Sequence, residues 1–179
     1  MKRLFKKIYN FLINPFDRRA RRGGEAAQQV PNESFFADVV RILNEGKQVT
    51  IPVKGFSMLP FIRGQRDLVV LEKRTSYAPY DIVLFRCQGR YIMHRILTIE
   101  GDRVEIQGDG VARGREKVRL GDIAGKAVRI LRDGKQEVDP DSPGQLRRAR
   151  RWRRLRPIRR PLLLLYRFAP WNYIWLRHQ

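Results

Sequence analysis

A chain of 179 residues is one ordinary domain with room for appendages, long enough to bury a real core. Its formal charge of +20, from 38 Lys and Arg against 18 Asp and Glu, points to an anionic partner, and its single cysteine excludes a disulfide framework. The excess is confined to the ends. Residues 1–22 carry eight bases and one acid and residues 143–179 carry eleven arginines and no acid, which leaves 19 bases and 17 acids between them.

Residues 1–22 form a basic amphipathic segment. Leu4, Phe5, Ile8, Phe11 and Leu12 recur at helical spacing, Lys2, Lys6 and Lys7 fall mostly between them, and Pro15 stops the helix. Residues 23–33, with glycines, small polar residues and a proline, read as a linker. Asn32 or Ser34 then caps a short helix in which Phe35, Phe36, Val39, Val40 and Leu43 share a face, and Gly46 ends it. From there to about residue 132 the pattern is short apolar runs: QVTIPV, DLVVLEK, DIVLFRC, YIMHRILTIE, RVEIQG and IAGKAVRILR. GQRD, APYD, CQGR, EGDR and RDGK separate them, EGDR having the form of a hairpin turn. Many short strands without alternating helices predict a mainly β fold, a coiled or barrel-like antiparallel sheet over residues 34–138. Residues 139–146 read as a second linker. Residues 147–179 are an arginine run followed by an apolar, aromatic-rich end with helical character.

Bases set beside Leu, Phe and Trp suit an anionic membrane surface, with cations for the head groups and rings at the interface. An RNA-binding tail could mix arginine with aromatics but has little use for LLLL, so no specific nucleic-acid partner is expected. A third reading has the C-terminal stretch packing on the domain as a buried helix. Neither end is a spanning helix: the first is too short and too charged, and the last is broken by Arg167 and Pro170. No secretory signal is evident.

The stretch KGFSMLPFIRG sets Ser57 between a glycine and a proline directly after a strand, where a serine is either a turn residue or a nucleophile. A nucleophile needs a base for its proton and donors for the oxyanion. Of the two histidines, His178 is at the extreme C-terminus and His94 lies inside a strand, where a satisfied structural histidine is the commoner role. Two distant histidines and Cys87, read as a buried thiol, give no metal site, and no dinucleotide, Walker or GxSxG motif supports a cofactor. Asp67 and Asp81 open strands, where an Asp commonly bonds nearby backbone. Asp109, between two glycines in QGDG, follows His94 after a hairpin that can fold it back toward the same end of the sheet.

In order, GFSMLP, RDLVVL, YDIVLFR, HRI, QGDGV and IAGKAV resemble the type I signal peptidases within the S24/S26 serine peptidases, over about Val49 to Ile130. The resemblance implies that Ser57 is the nucleophile with Met58 packed beside it. HRIL resembles the Ser-His branch, that of the endoplasmic-reticulum and archaeal type signal peptidases, which makes His94 the general base. Asp109 would then orient the imidazole. Three departures stand out: Gly110 replaces a common Asn, Gln65-Arg66-Asp67 replaces Gly-Asp, and the downstream second acid has no clear counterpart, Glu116 and Asp122 both being candidates. Gly55, two residues before the serine, offers no hydroxyl, so backbone N–H groups of Ser57 and Met58 are expected to form the oxyanion hole. The family's N-terminal membrane anchor has no counterpart either, and the two tails are expected to hold the domain at a bacterial or archaeal cytoplasmic membrane, with room for a membrane partner subunit. The expectation is a membrane-associated serine endopeptidase cutting a leader or signal peptide from a preprotein. A self-processing LexA-like peptidase and a non-catalytic basic membrane- or RNA-binding module are the alternatives.

Overall fold

The computed structural model describes residues 32–168; the segment 1–22, nearly all of the expected linker 23–33, and residues 169–179 lie outside them. Helix α1, Asn32–Asn44, places Phe35, Val39 and Leu43 at 4% exposure or less against the sheet. Each such burial contributes roughly 1.5–3 kcal/mol. Gly46, at φ 74°, closes the helix, its N–H donating to the Leu43 carbonyl at 3.0 Å.

Eight strands follow: β1 Val49–Pro52, β2 Leu68–Glu72, β3 Ile82–Cys87, β4 Arg90–Glu100, β5 Arg103–Gln107, β6 Glu116–Arg119, β7 Ile123–Arg132 and β8 Gln136–Val138. They form one antiparallel sheet in the order β1-β2-β7-β3-β4-β5-β6, with β8 on β7, so the fold is mainly β as expected. The path is open, with β1 and β6 at its ends. The hairpin turns behave as their sequences direct. Gln88 and Gly89 both take positive φ between β3 and β4, as do Asp133 and Gly134 between β7 and β8. Strands β6 and β8 carry no apolar run: EKVR buries only Val118, and QEV is short and largely exposed. Charge on a peripheral strand protects it from pairing with other chains and hides it from periodicity.

Strand β3 is apolar at successive positions because both of its faces are covered. Ile82 and Leu84 join the core under α1, with Val49, Ile51, Val69, Leu71, Ala127 and Ile130. Val83 and Phe85 face a second core of Ile96, Val104, Ile106, Val118 and Ile123. The long strand β4 pairs with β3 through Arg90–Arg95 and with β5 through Arg95–Glu100. His94 and Arg95 therefore sit where the strand passes from one partner to the other.

One boundary is corrected. Helix α2, Pro143–Arg154, begins inside the segment expected to be a linker at 139–146, its proline entering at the first turn, where a missing N–H costs nothing. Asp141 in that segment pairs with Lys126 at 2.8 Å. A 3-10 turn, Arg156–Ile158, leads to α3, Arg159–Phe168. None of these helices is long and apolar enough to cross a membrane.

Candidate active site

The chain from β1 to β2 makes a tight turn carrying Ser57. Gly55 reverses the strand at φ 79°, a conformation side chains disfavour. Gly64 packs so closely on the Gly55 backbone that a Cβ would overlap it, and Gln65 N–H donates to the Val53 carbonyl at 2.8 Å, closing the neck of the loop. Inside, Phe61 and Ile62 N–H both donate to the Met58 carbonyl at 3.0 Å. Met58 (2% exposed) and Ile62 (0%) anchor the turn in the core, which leaves Ser57 half-buried at its surface and Phe56 57% exposed. Among the described residues no acceptor lies on the N–H groups of Ser57 or Met58. Two free N–H groups in succession beside a serine are what an oxyanion hole requires.

The QGDG segment packs directly on this turn. Gly110 N–H donates to the Ser57 carbonyl at 2.7 Å, and a Cβ on Gly110 would overlap the Phe56 carbonyl oxygen. A side chain at this position would have to displace that backbone, so the close approach requires glycine. A Cβ on Gly108 would stand 2.5 Å from the Ser57 carbonyl oxygen and 2.8 Å from His94 Nε2. The turn and the imidazole thus meet across the bare face of Gly108. Among the described residues the Ser57 hydroxyl makes no hydrogen bond, to His94 or otherwise.

His94 is 5% exposed, paired with Val83 across β3, with its ring 6.1 Å from that of Phe85. Its Nδ1 lies 3.1 Å from Glu116 Oε2. A carboxylate accepts and does not donate, so Nδ1 is the donor to Glu116, and Nε2 is the ring nitrogen that faces Gly108 and the turn.

Asp109, expected to orient the imidazole, does something else. Its carboxylate is held by Arg95, with Nε at 3.0 Å from both oxygens and the terminal nitrogen at 2.8 Å. Both residues are buried. Arg95 also donates to the Tyr80 carbonyl at 2.8 Å and lies 5.0 Å from the centre of the Phe61 ring. The pair ties strand β4 and the QGDG loop to the Ser57 turn through Phe61.

The reason is a single bulge. From the EGDR hairpin, Glu100 faces Arg103, Ile99 faces Val104 and Thr98 faces Glu105. Unbroken continuation of that register would set Asp109 directly opposite His94. A bulge between Ile96 and Thr98 slips it by one, so that Arg95 faces Gln107. A one-residue slip exchanges faces. Asp109 moves to the face of Arg95. Glu116, which faces Ile106 as Ile106 faces Ile96, arrives on the face of His94. Of the two downstream acids considered, Glu116 reaches the imidazole, whereas Asp122 accepts from the Arg119 N–H at 2.8 Å.

The other acids act structurally, as their positions at strand starts suggested. Asp67 accepts from the Arg63 N–H at 2.8 Å; Asp81 accepts from the Ala78 N–H at 2.9 Å and pairs with Lys126 at 2.7 Å. Cys87 is free and half-buried against the second core. Among the described residues no group of three metal-binding side chains exists.

Helices α2 and α3 supply contacts that no motif announced. Trp152 Nε1 donates to the Asp109 carbonyl at 2.8 Å, and the buried Arg159 donates to the carbonyls of Val111 at 3.2 Å and Trp152 at 3.3 Å. Arg150 and Arg153 lie 5.6 and 5.9 Å from the centre of the Tyr80 ring. The arginine-rich helix is therefore docked against the QGDG loop through Trp152, with Ala149 its one buried residue, so it is not a buried helix. No family model matches the chain, and no curated protein matches it significantly.

Proposed function

We propose that the chain is a membrane-associated serine endopeptidase of the signal-peptidase-like S24/S26 kind, cutting a leader or signal peptide with Ser57 as nucleophile and His94 as general base. The observation that carries the reading is the imidazole between Glu116 at Nδ1 and the bare Gly108 beside Ser57 at Nε2. Nε2 takes the Ser57 proton as Oγ bonds to the scissile carbonyl carbon. The N–H groups of Ser57 and Met58 receive the oxyanion, and the imidazolium returns its proton to the leaving amine as the C–N bond breaks. Water, deprotonated by the same nitrogen, then releases the acyl group. Asp109 has a positioning part: with Arg95 it fixes the loop on which the turn rests.

The substrate lies as an added strand. Strand β1 is an edge, and its chain runs directly into the nucleophile turn, so a peptide paired beside it arrives at Ser57 extended. The basic tails and the exposed Ile158 and Leu164 suit a membrane surface. Wild type should cleave a leader peptide and react with a serine-directed acylating reagent, and Ser57→Ala and His94→Ala, with unchanged circular dichroism, should lose cleavage. Cleavage by Ser57→Ala at the wild-type rate would end this proposal.

A further inference from the structure

We propose that the pocket between α2 and the nucleophile turn binds the phosphodiester head group of an anionic phospholipid. This rests on the membrane-surface reading above and gives it a specific site. A cavity of about 330 Å³ is lined by Arg132 from the end of β7 and by Arg148 and Arg151 from α2, with Phe61, Trp152 and Leu155 as its apolar walls. Arg148, Arg151 and Leu155 recur at the spacing that puts them on one helix face. Among the described residues none of these three arginines pairs with an acid, although Arg66, Lys126 and Arg129 elsewhere do. Three like charges around one cavity repel each other, and an anion between them turns that repulsion into attraction.

Guanidinium forks match the tetrahedral oxygens of a phosphate, and the apolar walls ask for a ligand that is part hydrocarbon. Leu155, itself 38% exposed, opens the series continued by Ile158 at 51% and Leu164 at 56%, apolar side chains suited to the acyl region beyond a head group. A nucleic acid offers the phosphate and leaves these side chains in water. The site also abuts the catalytic architecture. Phe61 belongs to the nucleophile turn, and Trp152 donates to the carbonyl of Asp109.

The experiment uses the full chain carrying Ser57→Ala, so that its outcome does not depend on peptidase activity. Trp171→Phe and Trp175→Phe leave Trp152 as the sole tryptophan of the three. Its emission is followed on addition of phosphatidylcholine vesicles with and without phosphatidylglycerol, and of inorganic phosphate alone. A saturable change with the anionic vesicles only is expected. Removing one surface cation weakens such binding on the order of fivefold. Arg148→Gln with Arg151→Gln should weaken it about tenfold more than Arg147→Gln with Arg154→Gln, which changes the same helix and the same net charge. Equal losses from the two pairs would overturn the pocket and leave diffuse attraction by the tails. Inorganic phosphate acting as potently as the vesicles, or an oligonucleotide displacing them through the same two arginines, would overturn the lipid. Failure of every form to bind anionic vesicles would remove the membrane reading as well, and peptide cleavage by the active chain would stand apart from all of these results.

Discussion

Glu116→Gln and Asp109→Asn separate the two carboxylates by kind of effect. In the proposed mechanism His94 takes the serine proton and becomes a cation beside Glu116, whose oxygen is 3.1 Å from Nδ1. Charges about 4 Å apart attract by roughly 1 kcal/mol in full water and about 4 kcal/mol at an effective dielectric constant near 20. The side chains are only 6% and 26% exposed, which favours the upper part of that range. The amide should therefore cost about 3–4 kcal/mol in the transition state, a fall of roughly 10²- to 10³-fold in kcat. Stability should change little. Asp109→Asn instead leaves Arg95 buried with its counter-charge removed, a loss of about 3–5 kcal/mol. With a urea slope of about 2 kcal/mol/M, the midpoint should fall by about 2 M. The folded fraction should keep kcat within about tenfold. Both variants are assayed for kcat on a fluorogenic leader peptide and for urea unfolding. The reasoning fails if Glu116→Gln retains kcat within about threefold, or if Asp109→Asn loses catalysis at an unchanged midpoint.

Gly108→Ala puts a carbon 2.8 Å from His94 Nε2 and 2.5 Å from the Ser57 carbonyl oxygen, closer than packing allows. If His94 and Ser57 act as proposed, prising them apart should lower kcat/KM by about 10²-fold, read alongside loss of labelling by an acylating reagent; near-wild-type rates would mean the two groups do not work across this glycine. Trp152→Phe keeps a ring but removes the donor to the Asp109 carbonyl, and should cost about 1 kcal/mol in chemical denaturation. An unchanged midpoint would show that the helix is not latched there. Lys126 lies 2.7 Å from Asp81 and 2.8 Å from Asp141. Burial opposes its charge, but hydrogen bonds to Asp141 and Asp81 outweigh burial and raise its pKa above the ordinary lysine value. Its stabilising contribution is therefore fully present below about pH 10 and lost as pH rises through the raised value. The Tm advantage of wild type over Lys126→Met should narrow above about pH 10; a constant gap from pH 8 to 11.5 would contradict the coupling.

Most of the sheet is legible in the sequence because six of its strands are apolar runs bounded by turn dipeptides, and those turns are local. Strands β6 and β8 escape the pattern because position in the sheet, not composition, makes them strands. The glycines of KGFSMLPFIRG and QGDG are legible as residues of interest. Their purpose, close approach of one loop to another, depends on contacts between segments about fifty residues apart and cannot be read from either alone. The same holds for Trp152, one aromatic in an arginine run, whose partner is the carbonyl of a loop residue.

Asp109 and Glu116 mark the point at which sequence reasoning reaches its physical limit. Spacing from the EGDR turn favours Asp109, and on a regular ladder it would be opposite His94. What decides otherwise is one extra residue on β4, near Leu97, where the strand leaves β3 for β5. His94 and Arg95, as strand neighbours, already point to opposite faces, and the slip decides which carboxylate each receives: one quarter-exposed beside the imidazole, the other buried against the guanidinium. Under the proposed mechanism a bulge thus divides the work, so that charge stabilisation at the imidazole and support of the loop fall to separate acids. The basic helix α2 then bears on the second of these and not the first, through Trp152 and the Asp109 carbonyl. Anything that displaces α2 should accordingly disturb the support of the serine turn before it disturbs the base.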